Sequence, residues 1–204
     1  MDPGLNSLLK WGIENSSASN SDGTTSSIRG VDPDAIRAIM GGPSDADLMR
    51  EAMTVITHPE ATLDSKMTAF DNLEQLIENI DNANNLEALG MWDPLVDQLK
   101  STEPEIRKMA AWCIGTAVQN NVKAQERLLT VGGISKLCVL AVEDEDQSVR
   151  RKCVYALSSE VRNYQAGMDE AVKCLPKEFV GPDQISAADM KVVDAIMSKL
   201  REWD

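Results

Sequence analysis

Side chains that do covalent chemistry are few in this sequence, and none is spaced for a reaction. His58, the single histidine, stands before Pro59 at a helix end, with no serine or cysteine nucleophile paired to it. Cys113, Cys138, Cys153 and Cys174 lie 25, 15 and 21 residues apart among apolar neighbours, unlike the paired ligands of a zinc site. They read as buried free thiols of a reducing cytosol rather than as a disulfide framework. Gly132-Gly133 lacks the Lys-Ser/Thr that completes a phosphate-binding loop. The run Glu143-Asp144-Glu145-Asp146 has neither the alternation nor the glycine of a calcium loop, and reads as a solvated turn between helices. The expectation is therefore no catalytic residue, no cofactor-binding residue, no metal ligand and no enzyme.

What remains is a chain built to bind. Its 204 residues carry 20 Lys+Arg against 33 Asp+Glu, a net charge of −13, and such a surface repels phosphates. Nucleic acid and anionic membranes are excluded as partners on that ground. No apolar run of about 18 residues is present to span a bilayer, and Met1-Asp2-Pro3-Gly4 does not open a secretory signal. Aromatics make up only 4% of the chain while 43% is hydrophobic, much of it Ala, Leu and Met, which favours packed helices over strands.

The elements divide at about residue 43. Residues 1–43 read as a flexible N-terminal segment. In it Leu5, Leu8, Leu9 and Ile13, with Trp11 beside them, form a short amphipathic helix. The Ser/Asn/Gly/Thr-rich stretch 15–27 follows as a linker, then a helix from about Pro33 to Met40. The breaker Gly41-Gly42-Pro43 leads into residues 44–204, where Ser44 is placed to cap a helix with Leu48, Ala52, Met53 and Ile56 on its apolar stripe. From Leu63 onward helix follows helix.

Internal repetition then decides the fold. Residues 106–120 superpose on 149–163, a shift of 43, with Ile/Val, Arg/Arg, Trp/Tyr, Ile/Leu, Thr/Ser, Val/Val and Asn/Asn coinciding. A shift of 41 in the other direction brings Lys66, Ala69, Leu73, Ile77 and Asn79 under Arg107, Ala110, Ile114, Val118 and Asn120. All-helical units of this length are those of armadillo and HEAT arrays. The predicted fold is all-α: an armadillo-like α-solenoid with a flexible N-terminal segment and a C-terminal capping helix.

The repeat also sorts faces. Ile106, Ala110, Cys113 and Ala117 share the inward side of one helical wheel. The opposite side gives three columns across the units: Asp71/Trp112/Tyr155, Gln75/Thr116/Ser159 and Glu78/Gln119/Arg162. Stacking predicts a ladder on the inner, concave surface, where an aromatic on a polar face marks an interaction site; the bland alternative is that Trp112 and Tyr155 cover neighbouring turns. Glu160 falls in the core column of Leu76 and Ala117, so the array is expected to end there, with the repeat lost after Tyr164. The helix after Ser186, striped with Met190, Val193, Met197 and Leu200, is the expected cap. A second candidate is the polar run Asp81-Asn82-Ala83-Asn84-Asn85, read either as turn chemistry or as a contact loop at the solenoid edge.

Several blocks together carry a resemblance. They are residues 8–16 (Leu8-Leu9-Lys10-Trp11-Gly12-Ile13-Glu14-Asn15-Ser16), 48–53, 69–86, 115–121 and 155–159. In them the chain resembles the fungal armadillo-type nucleotide-exchange factors for the seventy-kilodalton heat-shock chaperone. That resemblance implies a cytoplasmic protein, expected to be a monomer without cofactor. It would hold one lobe of the chaperone's nucleotide-binding domain in its concave surface, loosen ADP and so promote client release. The ladder (Asp71, Gln75, Glu78, Trp112, Thr116, Gln119, Tyr155, Ser159, Arg162) and the run 81–85 become the expected chaperone-binding residues. Leu8, Leu9 and Trp11 become the expected client-release segment. The competing reading is an armadillo adaptor holding an extended peptide or partner without affecting nucleotide; the irregular column Asp71/Trp112/Tyr155 speaks against the regular ladder such a groove needs.

Overall fold

The computed structural model describes residues 42–181 and 184–203. By its contacts the chain separates into a unit Met1–Ser44 and a unit Asp45–Asp204. The expectations for Leu5–Ile13, for 15–27 and for Pro33–Met40 lie outside the described residues. All regular structure among the described residues is helical: α1 (Asp45–Thr57), α2 (Leu63–Ile77), α3 (Ile80–Ala88), α4 (Trp92–Asp97) with a 3₁₀ turn (Gln98–Lys100), α5 (Pro104–Val118), α6 (Val122–Thr130), α7 (Gly133–Glu143), α8 (Gln147–Val161), α9 (Gln165–Cys174), α10 (Lys177–Val180) and α11 (Met190–Arg201).

Local chemistry sets where these helices start. Thr62, Asn79, Asn121, Asp146 and Asp189 each accept a backbone N–H in the first turn of the helix that follows, filling donors that a helix start otherwise leaves bare. Pro104 opens α5, where its missing N–H costs nothing. Asn120 and Asn163, 43 residues apart, take left-handed φ angles of 53° and 57° just after α5 and α8, the conformation that asparagine tolerates at a helix end.

The period is stricter than the residue matches suggest. α2, α5, α8 and α11 start at residues 63, 104, 147 and 190; α3, α6 and α9 start at 80, 122 and 165; α4, α7 and α10 start at 92, 133 and 177. The repeat therefore continues past Tyr164, correcting the expectation that it is lost there: α9, α10 and α11 make a fourth unit. α11 still closes the array, because its buried residues are the single stripe Val193, Ile196, Met197 and Leu200. α5 and α8, packed between neighbours, are buried almost all round. In α1 the buried stripe runs through Met49, Ala52, Met53 and Ile56, with Leu48 only half-buried.

Two repeated arginines fasten the turn ahead of their helices, and the first also ties successive units. Arg107 donates to the carbonyls of Ser101 (2.9 Å) and Thr102 (3.0 Å), and Arg150 to those of Asp144 (2.8 Å) and Glu145 (3.5 Å), the same contacts one period later. Arg107 further makes a two-pronged bond to Asp144 at 2.7 and 2.8 Å, and the Asp144 side chain is only 2% exposed. The expectation of a solvated acidic turn at 143–146 is thus corrected at its centre: Asp144 is a buried anchor and Asp146 a helix cap.

Glu160 does not end the array. It is 0% exposed at the contact of α8 with α9, and neither carboxyl oxygen has a hydrogen-bond partner. Burial pushes its carboxyl up to about 9, so the site holds a neutral acid and avoids the cost of a buried charge.

Candidate functional site

The outward columns of the third helices meet over the packed trio α2, α5 and α8. Gly115 makes this possible. A Cβ there would lie 2.5 Å from Tyr155 Cε1 and 3.0 Å from Ala156 Cα, so only glycine lets α8 approach α5 with the tyrosine ring between them. Tyr155 then donates its hydroxyl to Gln119 Oε1 at 3.3 Å. Thr116 donates to Glu74 Oε1 at 2.8 Å, linking α5 to α2. Lys152 lays its ammonium 3.5 Å from the centroid of the Trp112 ring and 5.6 Å from that of Tyr155, a favourable cation–π pairing. Burial lowers the Lys152 pKa; Glu74 opposes that shift and Lys108 adds to it.

The result is a groove of about 500 Å³ lined by Glu74, Glu78, Trp112, Thr116, Gln119, Asn120 and Tyr155. Five of the residues expected at the site, Glu78, Trp112, Thr116, Gln119 and Tyr155, are brought together here. Of its two carboxylates, Glu78 is exposed, whereas Glu74 is buried and bonded to Thr116; Trp112 and Tyr155 are half-buried. Nothing in this arrangement pairs a nucleophile with a base, and no cluster of His, Cys, Asp or Glu among the described residues is arranged to hold a metal ion.

The other expected residues are placed differently. Asp71 is exposed on α2, and Gln75 faces a cleft between α1 and α2 with Leu48 and Val55. Ser159 is 9% exposed, its carbonyl taken by Gln125 Nε2 at 3.1 Å. Arg162 donates to Ser158 Oγ at 3.1 Å and pairs with Asp194, fastening α8 to α11. The contact-loop reading of 81–85 is corrected, because these residues lie inside α3. Asn79 caps that helix, and Asn82 turns inward to donate to Leu76 O (2.9 Å) and Asp45 Oδ2 (2.8 Å). Ala83 is 2% exposed, Asn84 is half-buried in a cleft between α3 and α6, and Asp81 and Asn85 reach solvent. Leu8, Leu9 and Trp11 lie outside the described residues.

Three contributors escaped the sequence reading: Glu74, Asn120 and Lys152. Glu74 shares its column with Gly115 and Ser158, so a lone acid among small residues was the available signal. Lys152 stands where the preceding unit has Met109, and its partner across the helix pair could not be read from a single wheel.

Comparison with known proteins adds the lineage. Residues 5–86 match the family model described as nucleotide exchange factor Fes1, and residues 82–174 match the SIL1/FES1/HPBP1 C-terminal domain. The Hsp70 nucleotide exchange factor FES1 of Gibberella zeae is 55% identical over 206 residues, spanning 98% of this chain and 97% of that protein. Its counterpart from Coccidioides immitis is 52% identical over 99% of both chains, and that from Neurospora crassa 45% identical over 98% of both. Among solved structures, computationally designed armadillo repeat proteins for modular peptide recognition superpose with a TM-score of 0.59 at 17% identity, over 85% of this chain and 70% of theirs. A second designed armadillo repeat protein gives 0.59 at 18% identity, over 72% and 61%; these likenesses speak to the fold alone. With relatives above half identity along its whole length, the chain belongs to the FES1 family of Hsp70 nucleotide exchange factors.

Proposed function

We propose that this protein is a nucleotide exchange factor for Hsp70. The observation that carries this reading is identity of 52–55% with two proteins of that name, each over nearly its whole length. The protein acts by binding, as a monomer, on the nucleotide-binding domain of the chaperone. It makes and breaks no covalent bond.

The groove of α2, α5 and α8 is the surface proposed to meet the chaperone. Exposed Glu78 and Asp71, both presented by α2 and its C-terminal cap, suit a basic patch. The aromatic rings supply contact area at small entropic cost. Asp81 and Asn85, exposed on α3, are proposed as further contacts. Lys152 covers a face of the Trp112 ring, which favours a fixed docking surface over the open, regular ladder that an extended peptide needs.

Exchange follows from differential affinity. A factor that binds the nucleotide-free chaperone more tightly than the ADP-bound form weakens ADP by the same ratio. A tenfold weakening requires about 1.4 kcal/mol of coupling, within reach of an ordinary protein interface. Stopped-flow release of a fluorescent ADP from Hsp70 tests this. The rate rises with added protein if the reading holds, and an unchanged rate at saturating protein sinks it.

A further inference from the structure

A second groove lies on the second helices of two successive units, between the 3₁₀ turn Gln98–Lys100 and α7. It is an open trough of about 380 Å³ lined by Leu99, Lys100, Ser135, Lys136, Val139 and Leu140, none of which borders the groove of α2, α5 and α8. Leu99 is buried and Leu140 half-buried, while Val139 is 50% exposed. The helix starts at 92 and 133 put Val139 where the preceding unit has Gln98, so the repeat itself does not call for an apolar residue on this surface.

The charged residues that line the trough carry one sign. Lys100 Nζ lies 2.7 Å and Lys136 Nζ 4.0 Å from the same oxygen of Asp97, so two ammonium groups share one carboxylate. Lys100, by its hydrogen bond, and Lys136, by its charge, help to hold Asp97 below the usual carboxylate range. Asp97 is therefore an anion at neutral pH, and one positive charge of the three groups is left over. Ser135 gives its hydroxyl proton to Gly132 O at 3.0 Å, which leaves the lysines as the side-chain donors that a ligand meets. This excess of positive charge beside exposed apolar surface stands out on a chain of net charge −13.

The geometry points to the trough as a docking site for a short acidic segment of a partner protein, with an apolar side chain seated on Leu99, Val139 and Leu140 and a neighbouring carboxylate meeting Lys100 and Lys136. A trough of this volume holds one or two large side chains and would leave a long acyl chain in water, so a peptide fits it better than a lipid. The two ammonium groups select for acidic segments, which the rest of this surface repels.

The probe is a short fluorescein-labelled peptide in which leucine and phenylalanine precede a run of glutamates, titrated with the full chain and read by fluorescence anisotropy. Saturable binding with a Kd of about 10–100 μM is expected, weakening several-fold as NaCl rises from about 50 to about 500 mM. Lys136→Glu and Val139→Ser should each weaken binding about tenfold. Both positions are partly exposed, so both variants should keep the wild-type thermal midpoint. The same peptide with glutamines in place of the glutamates should also bind about tenfold more weakly. Trp112→Ala, which alters the other groove, should leave the peptide affinity unchanged. No saturable binding by the folded wild-type protein, equal affinity for the glutamine peptide, or full affinity in either variant would each overturn the assignment. Loss of binding in Trp112→Ala would overturn it too, by placing the peptide in the groove of α2, α5 and α8.

Discussion

α5 and α8 occupy the same place in consecutive units, yet their last turns do opposite work. On α5, Thr116 and Gln119 open into the groove and Ala117 fills the core. On α8, 43 residues later, Ser159 is buried, Arg162 is committed to Ser158 and Asp194, and the core position is Glu160. The columns are the same and the neighbours are not. α11 lies over α8 as a one-sided cap, so side chains that a repeat would present to a partner are spent on closing the array. In a solenoid, a column's repeat position makes it a candidate surface, and the unit stacked next determines whether it stays one.

This contrast can be broken at the joint between the two helices. Asp144→Ala removes the buried partner of Arg107 and leaves the guanidinium with only the Ser101 and Thr102 carbonyls in the bonds it makes outside its helix. The expected loss is about 3–5 kcal/mol, the usual consequence of halving a buried ion pair, read as a lower urea midpoint. An unchanged midpoint would mean that α5 and α8 are held in register by apolar packing alone.

The closed end gives the opposite sign. Glu160 titrates near 9 in the folded protein, against an ordinary value of 4.5. Between those values the folded state keeps a proton that the unfolded chain has lost, so stability declines as pH rises from about 4.5 to about 9. Glu160→Leu is expected to stabilise by about 3 kcal/mol at pH 7. Its advantage over wild type should grow from pH 5 to pH 9 in urea titrations. A constant difference across that range would show that the carboxyl is solvated or paired.

Gly115→Ala sharpens the open end. The added methyl collides with the Tyr155 ring and crowds the Ala156 backbone, at a cost of about 2 kcal/mol. The groove should deform with it, so the variant weakens Hsp70 binding more than its remaining folded fraction explains. Full affinity per folded molecule would separate the groove from function.

The regular part of this architecture was legible because the units repeat both core positions, such as Ala110/Cys153, and turn chemistry, such as Arg107/Arg150 on the preceding carbonyls and Asn120/Asn163 at the helix ends. The fourth unit was not, because α11 has solvent on one side and keeps only the stripe that faces inward. Asp144 was hidden by its acidic neighbours, since composition cannot tell which of four carboxylates finds an arginine 37 residues away. The aromatic pair of the groove was readable from one wheel, but the Lys152–Trp112 and Thr116–Glu74 contacts bridge different units and appear only once those units are stacked. The run 81–85 misled because amide-rich sequence suits turns, and here Asn79 ahead of it supplies the cap that lets it continue as helix.

Replacing Ala83 would confuse binding with folding, since its side chain is 2% exposed. Trp112→Ala and the exposed Glu78→Lys are cleaner probes of the groove. The most direct test is the rate of fluorescent ADP release from Hsp70 at sub-saturating protein, with helical content checked by circular dichroism. The wild-type protein should accelerate release. Trp112→Ala and Glu78→Lys, each still folded, should need about tenfold more protein for the same rate, equivalent to about 1.4 kcal/mol of lost binding. Wild-type acceleration matched by both variants would place the chaperone elsewhere on the molecule, and no acceleration by any of them would contradict the account as a whole.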